Sequence, residues 1–159
     1  MGGEGDRVAL RFGRRCRAFA LLEDGAVVAY GWMSTGPEWI GELAVEIRPA
    51  AGEAYIWNCV TLPEHRRRGL YRTLLEGILA MARADGLMRL WIGSVVGPAE
   101  KADVDAGFTA VLEYEVTTRL GLRWLRIRPV ARADPELART TRSRLALVST
   151  LAFARPRVH

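Results

Sequence analysis

The chain has 159 residues, of which 50% are hydrophobic and 26% charged, a balance that predicts one globular domain and excludes a largely disordered chain. Its net charge is +5, and the positive charge is concentrated in residues 119–159, where ten arginines stand against two acidic residues. A basic stretch of this kind is usually a solvated surface, so a nucleic-acid partner is the less favoured alternative.

Three features of the sequence predict a cytoplasmic protein that does not enter a membrane. The first residues contain no apolar segment of the kind that a secretion signal needs. The apolar run over residues 145–154 is too short to cross a bilayer. Cys16 and Cys59 lack the spacing of a disulfide framework or a zinc site, so we expect neither a disulfide nor a metal.

The first third of the chain predicts an antiparallel meander that follows a short lead-in. The lead-in, residues 1–15, is rich in glycine and arginine. Asp24 and Gly25 form a strong hairpin signal between two β-rich runs, and residues 49–52 make a later turn. The strands of the meander are predicted at 16–23, 26–34, 39–48 and 53–62.

The middle of the chain predicts a strand–helix–strand unit. From Gly69 to Asp85 the apolar residues recur at helical spacing, and Gly86 stands where a glycine commonly ends a helix. A continuous apolar run over residues 87–95 then predicts a central strand. This order implies a right-handed crossover between two parallel strands, so the fold class is α/β with a mixed sheet.

The last part of the chain predicts a short helix, a hairpin and a basic terminal helix. The expected elements are a helix at 98–106, strands at 108–118 and 121–130, and a helix at 134–153 that Asp134 caps. We therefore expect three parts: the lead-in 1–15, a domain over 16–130, and a basic C-terminal helix and tail over 131–159.

The segment from Thr61 to Arg72 predicts an anion site. A strand ends near Pro63, a loop with three consecutive arginines follows, and a helix begins near Gly69. The first N–H groups of a helix have no partner inside the helix, and the helix dipole is positive there. Gly69 lets the backbone approach a phosphate closely, so a pyrophosphate fits this loop well, although a solvated arginine cluster is the simpler interpretation.

The same loop resembles the acyl-CoA signature of the GNAT superfamily of N-acetyltransferases. That signature is [Arg/Gln]-x-x-Gly-x-[Gly/Ala], and the segment Arg66-Arg67-Arg68-Gly69-Leu70-Tyr71 fits all but its last position. The turn Gly107-Phe108 also resembles the family's turn into its next strand. The resemblance covers roughly residues 16–130.

The resemblance implies a GNAT-like fold that binds acetyl-CoA as cosubstrate, with no metal. The strand before the loop would separate from its parallel neighbour at a bulge and bind pantetheine through its main chain, while the loop binds the diphosphate. The residues that it implies for the cofactor are Cys59, Val60, Thr61, Leu62, Arg66, Arg67, Arg68, Gly69, Leu70, Tyr71 and Arg72.

The sequence departs from the family in three places. Tyr71 stands where the loop motif usually has a small residue. Asp103 stands where the family often has the tyrosine that acts as general acid. The helical region that usually walls the acceptor site is shortened, since only 15 residues precede the first predicted strand. The candidates for the two unassigned catalytic roles are Tyr114 as general acid and Glu53 as general base. In the simpler interpretation, each is an ordinary residue of its strand.

The sequence therefore predicts an N-acetyltransferase that moves an acetyl group from acetyl-CoA to a primary amine of a small molecule, sugar or peptide. A homodimer is possible on the same grounds, because a partner subunit would complete a shortened acceptor site. Two alternatives stay open: a GNAT-like protein that binds acyl-CoA without catalysis, and a basic module associated with nucleic acid.

Overall fold

The computed structural model describes residues 3–14, 16–95 and 97–147, and within them the chain forms a mixed α/β fold. The helices are α1 Gly3–Gly13, α2 Leu70–Ala84, α3 Pro98–Asp105 and α4 Pro135–Arg144, with a 3₁₀ turn at Pro63–His65. The strands are β1 Arg17–Glu23, β2 Ala26–Ser34, β3 Glu38–Ile40, β4 Val45–Ile47, β5 Glu53–Thr61, β6 Arg89–Ile92, β7 Leu112–Arg119, β8 Leu122–Pro129 and β9 Leu145–Leu147.

The main sheet has four strands in the order β1-β2-β5-β6. The first three strands run antiparallel, and β6 lies parallel to β5 after the α2 crossover. Asp24 and Gly25, both at positive φ, make the turn between β1 and β2 as the sequence predicts. The mixed sheet of the predicted fold class is confirmed.

The predicted strand over residues 39–48 is wrong. Residues 41–44 form a turn, so the segment folds into the short hairpin β3–β4. Ala44 has φ 53°, a left-handed conformation that a continuous strand does not contain. The hairpin lies in a second sheet with the order β3-β4-β9, and β5 pairs directly with β2, so the first third is not a simple meander.

Both ends of the described chain also differ from the predictions. The lead-in contains helix α1, which runs from Gly3 to Gly13. The C-terminal helix begins as predicted, with the Asp134 carboxylate accepting from the Leu137 N–H at 2.7 Å. That helix ends at Arg144, because the next three residues pair with β4 as β9. The rest of the predicted helix lies outside the described residues.

Helix α2 packs on one face of the main sheet and forms the principal core. Its fully buried residues contact small and medium-sized apolar side chains of β2 and β5. Burying an aliphatic side chain of this size contributes about 1.5–3 kcal/mol, so this contact fixes the start of α2 against the end of β5. The cluster comprises Ala29, Met33, Ala54, Ile56, Leu74, Leu75, Ile78 and Ala82.

The opposite face of the main sheet is covered by the second sheet and α4. Ile47, Tyr55 and Trp91 are buried there, with Leu145 packed against them. Alternation along β5 therefore directs Ile56 toward α2 and Tyr55 toward the second sheet. The hairpin β7–β8 forms a separate two-stranded sheet.

Candidate functional site

Strands β5 and β6 separate halfway along β5. Their parallel register ends at the pair Ile56 and Ile92, although β5 continues to Thr61. Residues 57–61 of β5 pair with β2 on one edge, and within the described ranges no strand pairs with their other edge. The main-chain groups of this half of β5 therefore face an open gap, which can accept an extended ligand.

A bulge in β5 lies at the start of this gap. The register with β2 shifts between Tyr30 and Trp32, and Asn58 has φ 50°. Gly31 stands opposite the bulge, where an added Cβ would lie 2.7 Å from the Cys59 Sγ. The absence of a side chain at Gly31 therefore lets Cys59 point toward α2.

The loop after β5 presents a row of free backbone donors. The N–H groups of residues 67–72 donate to no main-chain or side-chain acceptor among the described residues. Gly69 is the residue before α2, has φ 76°, and provides no side-chain cap. A Cβ at Gly69 would have no heavy atom within 4 Å, so the space over these donors is open. Such a row of donors at the start of a fifteen-residue helix can bind a diphosphate.

The arginines of the loop are solvent-exposed and differ in their partners. Arg68 donates to both Glu23 carboxylate oxygens at 2.9 and 2.5 Å, which lowers the pKa of Glu23. Arg66 donates to the Thr61 carbonyl at 3.3 Å. Within the described residues, Arg67 has no salt-bridge or side-chain hydrogen-bond partner. The loop thus keeps positive charge beside the free N–H groups.

Two of the three departures from the family pattern contact one another. The Tyr71 hydroxyl donates to the Asp103 Oδ1 at 3.0 Å. Asp103 is only 5% exposed, and burial raises the pKa of its carboxyl group. The sequence alone does not connect the two departures, because the residues are 32 positions apart and lie on α2 and α3. The contact becomes visible only when the two helices pack.

Tyr114 belongs to β7, and its hydroxyl lies beside Gly93, just after β6, on the face of the sheet opposite α2. A Cβ added at Gly93 would lie 3.0 Å from the Tyr114 hydroxyl oxygen and 3.7 Å from that of Tyr55. Burial raises the pKa of Tyr114 above its ordinary value, so the phenol stays protonated. A protonated hydroxyl at this position can donate a proton into the gap.

The contacts of Glu53 disfavour a catalytic role. Its buried carboxylate accepts from Arg144 Nε at 2.8 Å, Arg89 at 3.1 Å, Trp91 Nε1 at 2.9 Å and the Ala50 N–H at 3.1 Å. Burial raises the pKa of Glu53, but the hydrogen bonds from Arg144, Trp91 and the Ala50 N–H outweigh it and lower the pKa to about 2. A carboxylate with so low a pKa is a weak base at neutral pH, and its contacts instead attach α4 to the main sheet.

Aromatic side chains cover part of the face opposite α2. The rings of Tyr55 and Trp57 stack with centroids 5.9 Å apart, and Trp32 lies 6.4 Å from Trp57. Arg11 of α1 lies over the Trp32 ring at 4.9 Å. The Arg11 guanidinium is therefore itself a cation held against an aromatic ring, while Trp32 and Tyr55 are buried. Trp39, by contrast, is more than half exposed.

No metal site accompanies these groups in the described part of the chain, where no cluster of three acidic, histidine or cysteine side chains is found. Among the same residues, no helix is long and apolar enough to span a membrane.

Comparison with known proteins adds a family match. The sequence model of the Acetyltransferase (GNAT) family matches residues 4–103. The matched segment contains nearly all of α1, the open half of β5, the arginine-rich loop before α2 and α3 up to Asp103. No curated protein sequence matches the chain significantly.

Solved structures share the fold at low sequence identity. A ribosomal-protein alanine N-acetyltransferase from Escherichia coli is 19% identical, with a TM-score of 0.54 over 85% of this chain and 82% of that chain. A protein from Agrobacterium tumefaciens assigned as an acetyltransferase is 23% identical, with a TM-score of 0.53 over 69% and 74%. The aminoglycoside N-acetyltransferase AAC(6')-Iy, in complex with a bisubstrate analogue containing CoA, is 16% identical, with a TM-score of 0.50 over 68% and 76%.

Proposed function

The chain belongs to the GNAT family of acetyltransferases, and from this premise we propose that it transfers an acetyl group from acetyl-CoA to a primary amine by direct attack on the thioester. The proposal is supported mainly by two neighbouring parts of the backbone whose N–H and C=O groups are open to a ligand. One is the unpaired half of β5, and the other is the row of free N–H groups at residues 67–72.

The loop provides the diphosphate site in this proposal. The free N–H groups from Arg67 to Arg72 and the positive end of α2 favour an anion in the open space over Gly69. Arg66 and Arg67 add positive charge at the surface. A diphosphate bound here directs the rest of CoA toward β5, because Leu62 joins the loop to that strand.

The unpaired edge of β5 provides the pantetheine site. Cys59, Val60 and Thr61 have one edge free, so the amide groups of a pantetheine arm can pair with them as a short added strand does. The arm then places the thioester in the gap near Gly93. The main task of the protein is to hold the thioester and the amine in the orientation for attack.

Tyr114 is the proposed proton donor to the departing thiolate. We expect Tyr114→Phe to lower kcat by about a hundredfold and to change KM little, because the lost interaction forms only in the transition state. Steady-state kinetics with acetyl-CoA and an active amine measure this effect. An unchanged kcat would show that water or another group protonates the thiolate.

The proposed acceptor is a primary amine on a small molecule, a sugar or a peptide. The similar structures include an aminoglycoside N-acetyltransferase and a ribosomal-protein alanine N-acetyltransferase, so small molecules and peptides both belong in the test.

Incubation with acetyl-CoA and an amine panel tests the proposal. Thiol release, the mass of the acetylated product and the thermal shift with CoA are measured together. Thiol release that requires both substrates supports the transferase. A thermal shift without turnover supports a non-catalytic acyl-CoA protein, and tight nucleic-acid binding without a CoA shift supports the basic module. The sedimentation of the protein with and without CoA tests whether the chain forms a homodimer.

A further inference from the structure

We propose that Tyr71 and Asp103 form a proton relay that removes the proton from the acceptor ammonium, an inference that rests on the acetyl transfer proposed above. The relay would fill the role of base, for which the contacts of Glu53 leave that residue poorly suited. The relay joins Tyr71 and Asp103, which in the sequence are visible only as departures from the GNAT family pattern.

The position of the pair supports this role. Asp103 comes from α3, and the charge of its carboxylate raises the pKa of Cys59, which lies on the open half of β5. The Ser94 side chain, two residues beyond the end of β6, favours the ionised form of Asp103. Tyr71 and Cys59 both pack against the core cluster under α2, so the pair lies on the α2 side of the sheet, whereas Tyr114 lies near Tyr55 on the other side.

The hydrogen bond already has the direction that a relay needs. The Tyr71 hydroxyl donates to Asp103 Oδ1, so its oxygen lone pairs are free to accept from a third group. Tyr71 is half-buried, whereas Asp103 is 5% exposed. In this proposal the phenol, which belongs to the more exposed residue, contacts the substrate, and Asp103 acts through it.

The proposed proton transfer balances. A proton of the bound ammonium passes to the Tyr71 oxygen while the phenolic proton passes to Asp103 Oδ1. The nitrogen lone pair then forms a bond to the thioester carbonyl carbon, the carbon–sulfur bond breaks, and its electron pair stays on sulfur. Sulfur takes a proton from Tyr114, which regains one from solvent, or from water. Nitrogen loses its second proton to solvent, and Asp103 releases its proton to solvent before the next turnover.

The surroundings of Asp103 make its carboxylate a stronger base than that of an ordinary aspartate. Burial is the largest influence and raises the pKa of Asp103, and nearby Glu100 on the same helix raises it further. Ser94 and Tyr71 oppose this rise by hydrogen bonding to the ionised form. Cys59 faces the pair from β5, and burial raises its pKa to about 12, so it adds no charge. The resulting carboxylate accepts a proton more readily than an ordinary aspartate does.

The test compares Asp103→Asn and Tyr71→Phe with Asp105→Asn, an exposed carboxylate on the same helix. We expect each relay variant to lower kcat by about a hundredfold at neutral pH, while calorimetry shows unchanged acetyl-CoA affinity. The loss should shrink as the pH rises toward the pKa of the amine, and with acceptors of low pKa, because those amines arrive already deprotonated. Asp105→Asn should match the parent.

The outcomes separate this inference from the proposed function. Turnover by the parent protein, with Asp103→Asn losing the same factor for every acceptor and pH, would assign the pair a structural role and overturn the relay. Full activity of Tyr71→Phe would do the same. Absence of turnover by the parent with the whole amine panel would refute the acetyl transfer, and the relay with it.

Discussion

Replacement of Gly69 by glutamate is expected to weaken CoA binding by at least about tenfold, the factor that loss of one charge-assisted hydrogen bond produces. The new carboxylate would stand beside the free N–H groups of residues 67–72, where the diphosphate should bind. Its negative charge would repel the phosphates and take some of the same donors. Calorimetry with CoA measures the change.

Three controls isolate this effect. Gly77→Glu adds the same charge to an exposed position of α2 whose Cβ also meets no neighbour, and it should leave CoA affinity unchanged. Gly69→Asn measures how much CoA affinity is lost when a residue with a Cβ must adopt φ 76°, without any added charge. Pantetheine lacks the diphosphate, so its weaker binding should not respond to Gly69→Glu. Equal CoA affinity of Gly69→Glu and the parent would show that the diphosphate binds elsewhere.

Replacement of Glu53 by alanine is expected to lower the free energy of unfolding by about 3–5 kcal/mol, the usual cost of removing one partner of a buried ion pair. Arg144, Arg89 and the Trp91 N–H would all lose their shared acceptor. Glu113→Ala is the matched control, because Glu113 pairs with Arg128 at 2.6 Å on an exposed surface. Its effect should be within about 1 kcal/mol. Denaturant unfolding measures both.

The stabilisation by Glu53 should depend on pH in one direction. Folding lowers the pKa of Glu53 from its ordinary value of 4.5 to about 2, so the folded protein favours the ionised form. The contribution is therefore fully present above pH 4.5 and is lost as the pH falls toward 2. The difference in unfolding free energy between the parent and Glu53→Gln should shrink over this interval. A constant difference would contradict the ion-pair account.

The same variant addresses catalysis. If Glu53 holds α4 to the sheet and is not the base, Glu53→Gln that remains folded should keep the kcat of the parent protein. A large loss of kcat at unchanged thermal stability would restore the prediction that Glu53 is catalytic. Glutamine retains much of the shape of the side chain, so the comparison separates charge from packing.

Local patterns along the sequence predict well the positions of the arginine-rich loop and of the helix that follows it. The apolar spacing from Leu70 to Ala82, the glycine before it and the arginines of the loop are interactions between near neighbours. The α2 helix and the mixed β-sheet are accordingly close to their predicted positions. The binding of CoA at this loop stays a prediction.

Tertiary packing decided the features that connect distant segments. Ala44 turns the predicted strand 39–48 into a hairpin, and Leu145–Leu147 leaves the helix to pair with that hairpin. A periodic pattern predicts that a segment is apolar on one face, but it does not name the partner strand. The partner depends on which edges are free once the main sheet has formed.

The acidic residues show the same contrast between what the sequence predicts and what tertiary packing decides. The sequence identifies Glu53 and Asp103 as carboxylates, but their environments come from residues 91 and 32 positions away, Arg144 and Tyr71. Hydrogen bonds from Arg144 and Trp91 lower the pKa of Glu53, whereas burial raises the pKa of Asp103 and makes it a better proton acceptor. The sequence therefore determined the loop, the helix and the family, and the tertiary structure decided the protonation of each carboxylate, because desolvation and hydrogen bonding arise only when distant segments meet.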